Sequence, residues 1–328
     1  MSASRLAWFT TETGRKFSLA CLVTVGGGVA AFNLLPHTLL LDEYRELFQM
    51  YRYRNDDDEL KMNFRKSTPV RVSSRIKKQF TDVLDDLKVP QEIRARLKPF
   101  MVSGFDVFHA GTTSMATGAL VGLTTNFNYE EVKDIDQSTL LVQSRHVDWS
   151  QPDGQNLLSA LMLSDNAKKF AIGREIVRCQ TIEPLLNSVY TIACTTMAYI
   201  IGRKANTILN GLARPLSFRI ILYALTGLFT LGNWALLTDI TTVHYDSECD
   251  REMSKLGRGY IKGGQEFYNK ILQRNVALRN LMGDKGVKLY SATGNDQFFI
   301  RHKRVPIVHR KLFFDNQMDL QYFSVIDN

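Results

Sequence analysis

The chain's 328 residues suffice for one large domain or two ordinary ones. Its four cysteines, Cys21, Cys179, Cys194 and Cys249, form no CxxC pair, which argues against both a disulfide framework and a structural zinc module. The formal net charge of +8 suits nucleic acid or an anionic membrane surface. No nucleic-acid-binding motif accompanies the charge, so the expected partner is membrane lipid and not nucleic acid.

Residues 1–16 form a basic N-terminal segment, with Arg5, Arg15 and Lys16 against Glu12. Residues 17–35 are uncharged and apolar around Gly26-Gly27-Gly28, about the ~20 residues a membrane helix needs. A cleaved signal peptide has a shorter apolar core and a small-residue cleavage site, so this span reads as a retained anchor that also targets the chain. The first part of a soluble domain, 42–183, opens with a charged and mostly helical stretch up to Lys98. Within it Asn55–Glu59 reads as a solvated turn or helix end, and Ile76, Phe80, Val83, Leu84 and Leu87 recur at helical spacing. Phe105–Ala110 and Gly118–Phe127 are expected as two short strands, with Leu140–Val147 as a third. Turn residues Asp148–Gly154 then lead into a helix over Gln155–Leu163.

The stretch Ser164–Cys179 reads as a helix capped by Ser164. Ala167, Phe170, Ala171, Arg174, Val177 and Arg178 share one face, which places two arginines on an otherwise apolar stripe. Two further membrane spans are expected at 185–202 and 220–238, the second with Trp234 near one end as an interfacial aromatic. The loop between them, 203–219, carries Arg203, Lys204, Arg214 and Arg219 and no acid. The positive-inside rule puts this loop and the N-terminus on one side, and 42–183 and 239–328 on the other as a single domain. The bland reading of 185–238 is a buried helical hairpin. Residues 239–281 are expected to be helical with a break at Gly263-Gly264, followed by a turn over Leu289–Asn295. Phe298–Phe314, rich in Arg, Lys and His, reads as a headgroup contact or as a solvated strand or arm.

Arg174-Glu-Ile-Val-Arg178 has the spacing of an HExxH zinc helix with arginines in both histidine places. Asp246-Ser-Glu-Cys-Asp-Arg251 resembles the segment that carries the third ligand. In order of elements the chain resembles membrane metallopeptidases of the M48 type: edge strand, zinc helix, membrane hairpin, third-ligand helix. The edge strand would be Gly118–Phe127, a candidate docking edge for a client segment. Arginine does not ligate metal, and no two of the six histidines stand at i,i+4, so no metal or cofactor is expected. The arginines would instead supply the charge a metal once did. The expected degenerate site is a charge cluster of Arg174, Glu175, Arg178, Asp246 and Asp250. The alternative is that the arginines face headgroups or solvent. A His244–Cys249 nucleophile pair is disfavoured by its acidic surroundings.

Three blocks resemble a known family. They are His146-Val-Asp-Trp-Ser150 with Gly154; Lys168–Val177; and Gly263–Leu272 continuing through Asn275–Leu281 to Lys288-Leu-Tyr290 and Gly294-Asn295. The resemblance is to the transmembrane protein 177 family of the mitochondrial inner membrane. It implies a non-enzymatic factor in cytochrome c oxidase biogenesis, acting with newly made oxidase subunit II and that subunit's inner-membrane assembly chaperone. It brings no catalytic residue. An acid-poor, Arg- and Ser-containing N-terminus and the lack of any N-x-[ST] sequon agree with that compartment. The basic loop then faces the matrix, and the soluble domain faces the intermembrane space.

The expected fold is an α+β membrane protein: three transmembrane helices plus one mostly helical domain with a small sheet, resembling a degenerate M48-type zincin. The alternatives are a membrane metallopeptidase with unconventional ligands and a structural scaffold whose basic loop and tail bind cardiolipin.

Overall fold

The computed structural model describes residues 8, 11–52, 68–137, 140–143, 145–298 and 301–326. The acidic run Asn55–Glu59 lies outside the described residues, as does most of 1–10. In chain order the longer elements are α1 (Glu12–Leu34), α2 (Leu41–Phe48), α3 (Ser74–Asp86), β1 (Leu97–Met101), β2 (Phe108–Thr112), β3 (Gly118–Leu123), α4 (Pro152–Leu161), α5 (Asp165–Cys179), α6 (Glu183–Ile208), α7 (Leu216–Lys255), α8 (Arg258–Leu281), α9 (Asp284–Leu289) and α10 (Ile307–Ile326). They form two units, 1–39 with 182–242, and 40–181 with 243–328.

The first unit holds α1, α6 and α7 as far as Thr242. These three helices are long and apolar enough to cross a membrane, as expected of an α+β membrane protein. At 1.5 Å per residue, the 40 residues of α7 extend roughly 60 Å, about twice the thickness of a bilayer's hydrocarbon core. Lipid offers helices no hydrophobic incentive to associate, so close approach and hydrogen bonds must hold them. Gly26 of α1 supplies the approach: a Cβ there would lie 2.6 Å from Cγ2 of Thr195 on α6. Ser188 Oγ donates to the Ala30 carbonyl at 3.2 Å. The Trp234 indole, expected at the membrane interface, turns its N–H to Thr191 Oγ1 at 3.1 Å. Threonine hydroxyls along α6 and α7 return to the carbonyl four residues back, as at Thr195 and Thr226, which satisfies these hydroxyls within their own helix.

The second unit is built around a three-stranded sheet in the order β1-β3-β2. β1 runs parallel to β3, Leu97 opposite Ala119, and β2 runs antiparallel to it, Thr112 opposite Gly118. β3 is therefore the central strand, buried at every position, which corrects the expectation of an edge at Gly118–Phe127. Ala119, Leu120, Val121 and Leu123 give it apolar residues toward both faces, the pattern of a strand covered on both sides. The stretch ends as a 3-10 turn over Thr125–Asn128. β1 falls in a region read as helix and loop; its Pro99 is tolerated because β1 is an edge strand. Leu140–Val147 forms a short hairpin, Leu141–Val142 against Arg145–His146.

α5 lies at the centre of this unit, packed on α3, α8 and the sheet. The expected single apolar stripe is too narrow a description. Ala167, Phe170, Ala171, Ile172, Ile176 and Cys179 are all fully buried, so the helix is covered on nearly every side. Phe170 meets Tyr268 of α8 and Phe314 of α10 edge-on, with ring centroids 5.6 and 5.0 Å away.

Two further expectations are corrected. The chain does not break at Gly263-Gly264, which lie inside α8 and let it close on its neighbours. A Cβ on Gly263 would sit 2.3 Å from the Asn166 carbonyl oxygen, and one on Gly264 would sit 2.8 Å from the Phe314 ring. The break comes instead at Gly257, whose φ of +106° suits glycine alone. Nor does the basic stretch Phe298–Phe314 end as a solvated arm: α10 begins at Ile307, and its Arg310 and Phe314 are buried.

Candidate functional site

The site begins with how α5 is held. Ser164 caps it by accepting from the Ala167 N–H at 3.2 Å, while its own N–H donates to Glu266 of α8 at 2.8 Å. Gly173 lets α7 approach, since a Cβ there would meet the Met253 side chain at 2.4 Å. α5 thus presents Arg174, Glu175 and Arg178 inward, where α7 brings Asp246 and Asp250.

The five residues of the expected charge cluster lie together. Arg174 donates to Glu175 Oε1 at 2.8 Å and to Asp246 Oδ1 at 3.3 Å. Arg178 donates to the same Asp246 oxygen at 3.0 Å. Asp250, expected to serve these two arginines, pairs instead with Arg310 of α10. That contact is bidentate, Nε to Oδ2 at 2.6 Å and Nη2 to Oδ1 at 2.7 Å, the strongest geometry an arginine and a carboxylate can adopt. Tyr268 donates its hydroxyl to Asp250 Oδ1 at 2.6 Å, and the Arg310 guanidinium lies 4.7 Å from the centre of the tyrosine ring. Three guanidinium charges thus face three carboxylates. Such a balance is needed, because an unpaired charge at this depth costs several kcal/mol.

His109 of β2 completes the network, its Nδ1 lying 2.7 Å from Glu175 Oε2. Burial opposes ionisation of Glu175, but Arg174, His109 and Arg178 together outweigh it and hold the carboxyl well below the usual carboxylate range. An ionised carboxylate only accepts, so His109 donates from Nδ1. Both oxygens of Glu175 are thus engaged, Oε1 by Arg174 and Oε2 by His109. No group of three His, Cys, Asp or Glu residues able to hold a metal occurs among the described residues. Burial, followed by the Glu175 charge, pushes the Cys179 thiol well up, so it is no ready nucleophile. The surmised pair of His244 and Cys249 is not assembled: the cysteine is buried, and the histidine, five positions earlier on α7, is exposed.

Arg310, Tyr268 and His109 were not foreseen. For Arg310 a signal exists: Ile307, Arg310, Phe314 and Met318 recur at helical spacing behind Pro306, so the arginine lies on an apolar stripe. Beside the network is a cleft of about 170 Å³, reached by Arg174, Arg274, Arg304 and Arg310 and by the acids Asp106 and Asp296. Arg274 spans it, donating to the Phe105 carbonyl at 2.6 Å and to Asp106 at 2.7 Å. Burial and the neighbouring Asp106 raise the Asp296 carboxyl above its ordinary value.

A family model described as Transmembrane protein 177 matches residues 60–320, which includes every member of the network. The chain belongs to the transmembrane protein 177 family. Among curated members, one from Danio rerio is 29% identical over 283 residues, 86% of this chain and 86% of its own. A Xenopus laevis member is 26% identical over 313 residues, 94% of this chain and 96% of the relative. A Homo sapiens member is 30% identical over 245 residues, 74% and 78% of the two chains. No solved structure matches the chain.

The blocks that carry the family resemblance are packing joints. Gly154 sits where a Cβ would meet the Asp148 carbonyl at 2.5 Å, inside the turn that Asp148 closes on Ser150. Fully buried Asn275 donates to the Gly294 carbonyl at 2.8 Å, and Gly294 takes a φ of +82° against the Leu272 carbonyl.

Proposed function

We propose that the chain works by binding and not by catalysis. In this reading it is an assembly and stabilisation factor of the mitochondrial inner membrane, acting in cytochrome c oxidase biogenesis with newly made subunit II and that subunit's assembly chaperone. One observation carries the non-enzymatic part. Of the residues read into the three ligand places of a zinc-peptidase pattern, Arg174 and Arg178 both donate to the third, Asp246 Oδ1, at 3.3 and 3.0 Å. In this reading the positions that would converge on a metal neutralise one another instead, in a buried ion network where both oxygens of Glu175 are already engaged.

Membership of the family and the acid-poor, Arg-containing N-terminus support the compartment. In that membrane the positive-inside rule sets the loop 203–219 in the matrix and the second unit in the intermembrane space. The expected docking edge does not serve, because β3 is covered on both sides.

The test is affinity purification of the intact chain from mitochondria in mild detergent, with partner mass spectrometry and metal analysis on one eluate. Near-stoichiometric subunit II or its chaperone, without zinc, is the expected result. An equivalent of zinc, or client cleavage that a chelator stops, would overturn the reading.

A further inference from the structure

The first unit contains a groove of about 920 Å³ among α1, α6 and α7, a volume in the range of small-molecule sites. α1 and α6 run antiparallel, closed on each other at the Gly26–Thr195 contact. The groove lies toward the other end of α1, where the start of α1, the end of α6 and the start of α7 come together. Its body is apolar, with Leu19, Leu22, Ala198 and Ile220 among its walls. Its mouth is basic: Arg15 and Lys16 come from α1, Arg203 from α6 and Arg219 from α7. Among the described residues of the groove the acid is Glu12, and Lys16 pairs with it at 2.9 Å. Two buried polar atoms on the wall have no hydrogen-bond partner, Arg219 Nε, a donor, and Asn206 Oδ1, an acceptor.

We propose that this groove binds an anionic glycerophospholipid, with the headgroup phosphate on Arg15, Arg203 and Arg219 and an acyl chain along the apolar body. An apolar trough ending in converging cations, set at one end of membrane-spanning helices, matches a lipid in both polarity and order. The orphaned donor Arg219 Nε calls for an acceptor, which a phosphate oxygen is. A free phosphate would satisfy the mouth and leave the apolar body without an occupant. The inference rests on the three helices spanning a membrane and is independent of any client.

The structure divides the basic loop in two, and that supplies the control. Arg203 and Arg219 line the groove, whereas Lys204 and Arg214 do not, and Arg214 lies over the Phe218 ring at 5.1 Å. The intact chain in detergent is titrated with phosphatidylglycerol, cardiolipin, phosphatidylcholine or inorganic phosphate. Bound lipid is read by native mass spectrometry and stabilisation by melting temperature. Anionic lipid should bind and stabilise the wild type and the K204Q/R214Q variant alike. R203Q/R219Q should lose roughly tenfold or more in apparent affinity while melting like the wild type in phosphatidylcholine. A198W, which fills the trough and keeps every charge, should also lose the lipid and guards against misfolding of the double variant. Equal losses in both charge variants would mean a diffuse surface effect, and equal protection by inorganic phosphate would mean an ion site. Either result overturns the proposal, as does retention of lipid by A198W.

Discussion

In the buried network of the second unit, Arg174, Arg178 and Arg310 share Glu175, Asp246 and Asp250, and each guanidinium has a carboxylate within 3.0 Å. At the groove of the first unit, Arg15, Lys16, Arg203 and Arg219 share Glu12 alone among the described lining residues. The two regions use the same side chain for opposite ends. A charge buried in protein must be neutralised within the fold, because desolvation there exceeds what any one distant partner returns. A charge at a membrane end can remain unmatched within the fold, because water and lipid headgroups solvate it. Matched charges hold structure, and unmatched ones are available to a ligand.

The most severe way to break the matched region is to strand one charge. Arg310→Ala, which leaves Asp250 with Tyr268 alone, should cost about 3–5 kcal/mol, read as loss of unfolding free energy or of folded protein in mild detergent. A double change to apolar residues of similar volume, R310M/D250L, should recover much of that loss. If it does not, the network contributes more than charge balance.

Glu175→Gln tests the same network at lower cost, about 2–3 kcal/mol at neutral pH, because the amide keeps a weaker hydrogen bond. The fold lowers the Glu175 carboxyl below its ordinary range. Its contribution is therefore present above the unfolded value of about 4.3 and is lost as pH falls below it. The wild type should lose stability on acidification through that window, and the glutamine variant should show a shallower acid limb in melting experiments.

Gly263→Ala sharpens the contrast from the packing side. An alanine in a helix interior ordinarily gains up to ~1 kcal/mol over glycine. Here its Cβ would lie 2.3 Å from the Asn166 carbonyl, so the sign should reverse to a loss of about 1–2 kcal/mol, read by thermal melting. The smallest effect belongs to the unmatched region: K204Q/R214Q should change unfolding free energy by no more than about ±0.5 kcal/mol.

Much of the architecture was written locally. The three long apolar helices, the Ser164 cap and the helix after it each follow from a run of neighbouring residues obeying one period or one capping rule. The arginines at 174 and 178 were legible for the same reason: i,i+4 spacing on an apolar stripe marks a charge that must find a partner. Which acid answers which arginine was not legible. Asp246 and Asp250 are one turn apart on α7 and equal in chemistry. Arg310 comes from a helix about sixty residues farther along the chain, and only its docking beside Tyr268 claims Asp250. Strand order was hidden likewise. The composition of Gly118–Leu123 marks a strand, but its central place depends on Leu97–Met101 arriving in parallel, a pairing between segments whose local sequences show no sign of each other. The same holds for the groove, whose cations come from three helices. The sequence by itself determined helix periods, caps, membrane spans and the need for buried countercharges, because each depends on residues within a turn or two. Tertiary structure alone decided the partners, the central strand and the division of the basic loop, because these depend on distances between segments remote in the chain.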